Sequence, residues 1–188
     1  MGSAKWNELL IVENGVDFRN GYHGRHDSKS IAYEDFCFHT ILDKLEPNNF
    51  AIGPHFIDNI FGISSADLAR PDAIIFDVKN SEQWKIKHLY EFKSGKGNGI
   101  VNKLDGFSKF LTHLREHKYF LPSLLKENLG EDMKIPSEII VLPDEQVLVT
   151  IMKPKSIEAY VLYSNVKFPV EYSVINPFSP KLGRSRPF

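Results

Sequence analysis

Between Trp84 and Ser94 (WKIKHLYEFKS) apolar and polar residues alternate, aromatic and β-branched side chains are frequent and Pro and Gly are absent, which predicts one strand. Successive side chains of a strand point to opposite faces. Lys85, Lys87, Leu89, Glu91 and Lys93 are therefore expected on one face, and Trp84, Ile86, His88, Tyr90 and Phe92 on the other. Ala73 to Val78 (AIIFDV) reads as the preceding strand, and the polar run from Lys79 to Gln83 as the turn that doubles it back. With Asn80 to Gln83 as a four-residue loop, Lys79 pairs with Trp84, and the same register sets Asp72 opposite Glu91. Directly paired residues on one face have Cβ atoms about 4.5 to 5.5 Å apart, so both carboxylates and the Lys93 ammonium are expected to converge on one patch.

The rest of the chain alternates helical and strand patterns, as an α/β fold does. A helix is expected from about Lys29 to Leu45, capped by Asp27 or Ser28, with Ile31, Phe38, Ile41, Leu42 and Leu45 as its apolar stripe and Pro47 as its stop. Glu34 sits at the edge of that stripe and needs a partner, either a metal ion or a basic side chain. Trp6 to Val12 is a short apolar run of ambiguous type, followed by a polar stretch with Gly15, Gly21 and Gly24. Residues 47–70 read as a long connection with a short helix around His55 to Phe61. After Lys93 the string Ser94-Gly95-Lys96-Gly97-Asn98-Gly99 reads as a flexible loop in which Lys96 is a candidate phosphate contact. A helix follows from about Ile100 to His117, burying Ile100, Leu104, Phe107, Leu111 and Leu114. Two strands, Glu138 to Leu142 and Gln146 to Met152, are expected around Pro143-Asp144-Glu145, and a later pair at Ala159 to Ser164 and Val170 to Ile175. Residues 177–188 read as a flexible tail, or as an arm that contacts DNA.

Two carboxylates at such close quarters repel, and keeping both ionised at neutral pH calls for a cation nearby. Oxygen-only ligation suits a hard ion, so the expectation is Mg²⁺ or Mn²⁺, with the Phe92 carbonyl as a further oxygen. Such an ion polarises a phosphate oxygen and activates water, and Lys93 is placed to hold or help deprotonate that water and to stabilise charge on phosphorus. The bland alternative makes Asp72 a strand-entry residue after Pro71 and Glu91 and Lys93 an exposed ion pair.

Pro71-Asp72, a strand-turn-strand spacer and then Glu91-Phe92-Lys93 resemble the motif of the PD-(D/E)XK nuclease superfamily, the restriction-endonuclease-like fold. The resemblance implies an αβββαβ core over roughly Ser30 to Thr150, a mixed central sheet flanked by helices, with extra C-terminal strands here. It implies that Asp72 and Glu91 bind the metal and that Lys93 assists hydrolysis. Many members add an acidic residue from the helix before the first core strand, for which Glu34 is the match. The helix after the motif often contributes a polar residue, which makes Lys103 and Asn102 candidates for contact with nucleic acid. In viral cap-snatching endonucleases, which resemble the same fold, a helix histidine joins the metal shell; His26 or His39 would be its counterpart.

Composition adjusts this picture without changing it. A chain of 188 residues with 42% hydrophobic content fits one domain with a proper core. Cys37 is the only cysteine, which removes disulfide frameworks and cysteine-ligated zinc and reads as a small buried hydrophobe. No apolar run approaches the ~18 residues of a membrane span and no signal-peptide pattern opens the chain, so a cytoplasmic or nuclear protein is expected. The net charge of −1 conceals an asymmetry: Lys79 to Lys118 holds nine basic and four acidic residues, a local +5 around the proposed site. Phosphate binding needs local positive charge rather than a basic whole. His113-Leu114-Arg115-Glu116-His117 has the H-x-x-E-H spacing of inverted zinc peptidases. Leu114 is needed for the core stripe and no third ligand is identifiable, so these histidines read as solvent-facing; His23, His26, His39, His55 and His88 show no metal-ligand spacing. The leading expectation is a Mg²⁺-dependent DNA endonuclease, for which homodimerisation would suit cutting both strands. The alternatives are an inactive nucleic-acid-binding module of the same fold and a structural or assembly protein.

Overall fold

The apolar strand residues divide between two faces of one mixed, open sheet, and helices cover both. A computed structural model describes residues 9–12, 14–18, 28–61, 69–95, 100–117, 120–129, 133–140, 146–163 and 172–175. The elements in chain order are β1 (Leu9–Val12), β2 (Gly15–Phe18), α1 (Ser28–Asp43), β3 (Asn49–Ile52), α2 (Pro54–Phe61), β4 (Ala73–Asp77), β5 (Gln83–Phe92), α3 (Ile100–Glu116), α4 (Phe120–Leu129), β6 (Glu138–Ile140), β7 (Gln146–Lys153), β8 (Ser156–Tyr163) and β9 (Tyr172–Ile175). The sheet runs β1-β2-β3-β4-β5-β7-β8-β9, with β6 also paired to β5. β2 lies parallel to β3, and both β6 and β7 lie parallel to β5; the remaining pairs are antiparallel. No helix among the described residues is long and apolar enough to cross a membrane.

Helix α1 packs on one face through Cys37, Phe38 and Ile41, which meet Ala51, Ala73, Ile75, Phe92 and Met152. The other face is larger. There Phe56 and Ile57 of α2, Leu104, Phe107, Phe110, Leu111 and Leu114 of α3, and Leu121, Leu125 and Leu129 of α4 cover Ile74, Phe76, Trp84, Leu89 and Val149. Full burial of one such large apolar side chain stabilises the fold by about 1.5 to 3 kcal/mol, so the α3 face alone is a major part of the core. Pro54, at the first position of α2, suits a helix start because its missing N–H is not needed there.

The β4–β5 hairpin differs from the expected register in one instructive way. Near the turn, Phe76 pairs with Ile86 and Asp77 with Lys85, one residue off the expected match, because the turn is tighter by one residue. The register shifts between Ile75 and Phe76, where Lys87 is the extra residue of a bulge. From there Ile75 pairs with His88, Ile74 with Leu89 and Ala73 with Tyr90, which is the expected register at the end that matters for the site. The bulge also changes the faces. Trp84 and Ile86 share a core with Leu89, whereas Phe92 packs with α1, so the assignment of Trp84 and Ile86 to the Tyr90 and Phe92 face is corrected. Lys87, left outside the ladder, is exposed and reaches Glu46 at 2.9 Å.

Other expectations need smaller corrections. Residues Gly15–Phe18 and Asn49–Ile52, read as polar stretch and connection, form β2 and β3. Helix α4 went unread although Leu121, Leu125 and Leu129 repeat every four residues. β6 and β7 are successive pieces of one parallel ladder on β5 rather than partners of each other. The Pro143-Asp144-Glu145 turn, Lys96, His26 and the 177–188 tail lie outside the described residues.

Gly106 marks the tightest approach of α3 to the chain before β4, since a Cβ built there would collide with the Cβ of Ala69. Replacing a helix-interior glycine by alanine ordinarily gains about 1 kcal/mol. At this position Gly106→Ala is expected to lose about 1 to 3 kcal/mol through overpacking, measured by urea unfolding; a stabilised variant contradicts the packing.

Candidate functional site

At the end of the β4–β5 ladder the backbone brings Asp72 to Glu91. The Asp72 N–H donates to the Tyr90 carbonyl at 2.7 Å, and its Oδ2 accepts the Phe92 N–H at 2.6 Å. Asp72 thus binds the peptide groups on both sides of Glu91, and the ladder extended by one residue sets the two side chains across from each other. Glu91 is buried at 2% exposure, yet its Oε1 accepts from two ammonium groups, Lys93 at 2.8 Å and Lys103 at 2.9 Å. Its Oε2 is buried and makes no hydrogen bond. A buried carboxylate oxygen without a partner is costly.

The electrostatics follow from this crowding. Loss of water, then the charges of Glu91 and Glu34, push the Asp72 carboxyl well above the usual carboxylate range, against the opposing pull of the Phe92 N–H and Lys103. Burial would draw the Lys93 ammonium down, but the carboxylates of Glu91, Asp72 and Glu34 together raise it. Lys93 therefore stays charged at neutral pH. On the neighbouring α1, burial above all pushes the Cys37 thiol up to about 12, and the charges of Asp72 and Glu34 add to the shift. It remains an inert thiol.

Of the residues singled out from sequence, Asp72, Glu91, Lys93 and Lys103 are brought together by direct contacts or adjacent peptides, and Glu34, buried on α1, acts on the charge of both Asp72 and Lys93. Phe92 enters through its N–H; its side chain is buried against α1. Lys103 meets Glu91 rather than standing apart on the surface, while Asn102 is exposed. His39 is exposed on α1. His113 and His117 face each other with ring centroids 4.7 Å apart, and Leu114 between them is core, as expected. Lys96 and His26 lie outside the described residues.

Sequence reading missed a second polar group. His55, at the start of α2, places Nε2 2.6 Å from Asp35 Oδ1 of α1, and Asp17 Oδ1 of β2 accepts the Phe56 N–H at 2.9 Å. Their ligand atoms lie within 4.8 Å of one another, close enough to hold a metal, and they form the one such group of three or more among the described residues. The carboxylates of Asp35, Asp17 and Glu34 outweigh burial and raise the His55 pKa. The His55–Asp35 and Phe56–Asp17 contacts fasten β2, α1 and α2 together. Gly53 makes room for this, because a Cβ there would strike the Asp17 carboxylate. The separations of 18 and 20 residues carry no recognisable spacing; the one local hint was His55 in a Gly-Pro helix start.

Comparison with family models, curated proteins and solved structures gives no match. The chemistry of the site rests on its own atoms. Three carboxylates and two ammonium groups meet here, with one buried Glu91 oxygen unsatisfied, whereas the group of three whose ligand atoms already lie close enough to hold a metal, among the described residues, is Asp17, Asp35 and His55. Asp72 binds its proton more tightly in the folded than in the unfolded chain, so it favours the fold below its unfolded pKa of about 3.9, and this contribution is lost as pH rises through the folded value. Above the folded pKa and without a cation the ionised group is a liability. Asp72→Asn is expected to raise the melting temperature at pH 7 in chelator and to abolish the stabilisation that Mn²⁺ gives the parent chain, about 2.7 kcal/mol at a hundredfold excess over Kd. A variant that melts lower in chelator, or still responds to Mn²⁺, contradicts this account.

Proposed function

We propose that this chain is a metal-dependent nuclease that hydrolyses phosphodiester bonds of DNA as an endonuclease, on a core of the PD-(D/E)XK type. The observation that carries the reading is the buried Glu91 Oε2 without a hydrogen bond, on a residue set across from Asp72 and bound through its other oxygen by Lys93. The order α1, β3, β4, β5, α3, β7 supports it, since it is the αβββαβ succession that the motif implies, with α2, α4 and β6 as insertions. In this reading DNA is the partner, the compartment is cytoplasm or nucleus, and a homodimer would present two sites to two strands.

Asp72 and Glu91, with Glu34 from α1 and the Phe92 carbonyl, would hold Mg²⁺ or Mn²⁺, which when bound polarises the phosphate and lowers the pKa of water. The rest falls to side chains. Lys93 keeps its proton and supplies a fixed positive charge to the oxygens of the attacked phosphate, where charge grows toward the transition state. This makes it an electrostatic catalyst and a donor to the attacking water rather than its base. Lys103 shares Glu91 Oε1 with Lys93, which leaves Oε2 without a hydrogen-bond partner. Phe92 N–H fixes the Asp72 rotamer.

Purified protein is expected to cut DNA with Mg²⁺ or Mn²⁺ and to stop on addition of EDTA. Asp72→Ala, Glu91→Ala and Lys93→Ala should each lose about 100-fold or more in rate while keeping a native circular dichroism spectrum. Full activity in all three would falsify the assignment. Salt-dependent DNA binding without cleavage under any divalent ion would instead leave a binding module, and neither DNA nor cation binding would leave an assembly protein.

A further inference from the structure

Lys153 repeats, one strand over, the arrangement of Lys93. β7 runs parallel to β5 with Glu91 beside Ile151 and Phe92 beside Met152, and the Lys93 N–H donates to the Met152 carbonyl at 2.9 Å. The next step of that register sets Lys93 beside Lys153. Neighbouring strands lie about 4.8 Å apart, so two ammonium-bearing side chains leave the same face of the sheet as neighbours.

Each lysine is tethered to its own glutamate, Lys93 to Glu91 at 2.8 Å and Lys153 to Glu158 at 2.9 Å. Glu158 is in turn held through its other oxygen by the Tyr160 hydroxyl, which donates at 2.9 Å. Tyr160 is buried at 8% exposure in the core beneath α3. The Lys153 head group is therefore positioned from inside the protein, and its side chain is 22% exposed, against 38% for Lys93. Each glutamate offsets the charge of its own lysine and fixes its place, and an ammonium has three N–H donors, more than its glutamate takes up. A phosphodiester strand supplies acceptor oxygens at regular intervals for two such neighbouring groups.

We infer that Lys153, positioned by Glu158 and Tyr160, forms a second phosphate-binding position beside Lys93 that takes a phosphate of the nucleic-acid strand next to the one being cut. The inference rests on the nuclease reading and extends it from a single attacked phosphate to a strand laid across β5 and β7. Lys153 acts as a binding residue and Tyr160 as a positioning residue.

The test is the affinity of the full chain for a labelled DNA duplex in chelating buffer, measured by fluorescence anisotropy over a series of salt concentrations. Lys153→Met is expected to weaken binding and to flatten the slope of log K against log salt by about 0.9, the value for one lost phosphate contact. Lys153→Arg should restore the slope. Tyr160→Phe, which removes only the hydroxyl, should weaken binding without changing the slope, because the charge remains and its placement loosens. A Lys153→Met slope equal to that of the parent chain overturns the inference while leaving the nuclease reading intact. A parent chain that cuts DNA with Mg²⁺ yet shows no salt-dependent binding in chelator also overturns the inference, and one that does neither takes the nuclease reading with it.

Discussion

Everything at the working end of the sheet follows from carboxylates forced together by backbone pairing. The Asp72 backbone is bound to Tyr90 and its carboxylate to the Phe92 N–H, so it cannot swing away from Glu91, and Glu34 reaches the same field from α1. Such a cluster is unstable on its own. Lys93 and Lys103 offset it by sharing one oxygen of Glu91, and this leaves the other oxygen bare. A fold that sought only stability would relieve this with an apolar pair. Three acids and two bases retained at this end of the sheet, with one Glu91 oxygen unsatisfied, are the features on which the proposed cation and phosphate site rests.

The layers around the cluster serve to hold it. α1 carries Glu34 on the same helix whose Cys37, Phe38 and Ile41 pack against Phe92, so the acid and the strand beneath it are positioned by one contact. α3 does the same from the opposite face, with Lys103 one turn from the start of a helix anchored by Leu104 and Phe107. The Asp17, Asp35 and His55 group then ties β2, α1 and α2 into one unit beside the site. Neighbouring residues of α1 serve both groups, Asp35 in the triad and Glu34 in the carboxylate cluster.

Much of this was legible in the sequence where local pattern and tertiary demand agree. The α1 and α3 stripes, the β4–β5 hairpin and the later strands follow from periodicity, and the closeness of Asp72 to Glu91 from a hairpin register. That register came out right at the site for an incomplete reason: the turn is one residue tighter than read, and the bulge at Lys87 restores the count. A bulge has no clear signature in a run such as WKIKHLYEF. β2 and β3 are four residues each, too short for alternation to register, and both take a pairing partner distant in sequence, although β2 also pairs with the adjacent β1. The His55 triad was invisible for the same reason, being assembled from three elements that only the sheet brings together.

The most direct measurement of the central claim is anomalous diffraction from crystals soaked in Mn²⁺. The account predicts a peak within bonding distance of Asp72 and of Glu91 Oε2, about 2.0 to 2.2 Å for a hard cation with oxygen ligands. Ordered crystals with no peak there, or with manganese bound at Asp17, Asp35 and His55 alone, would contradict it.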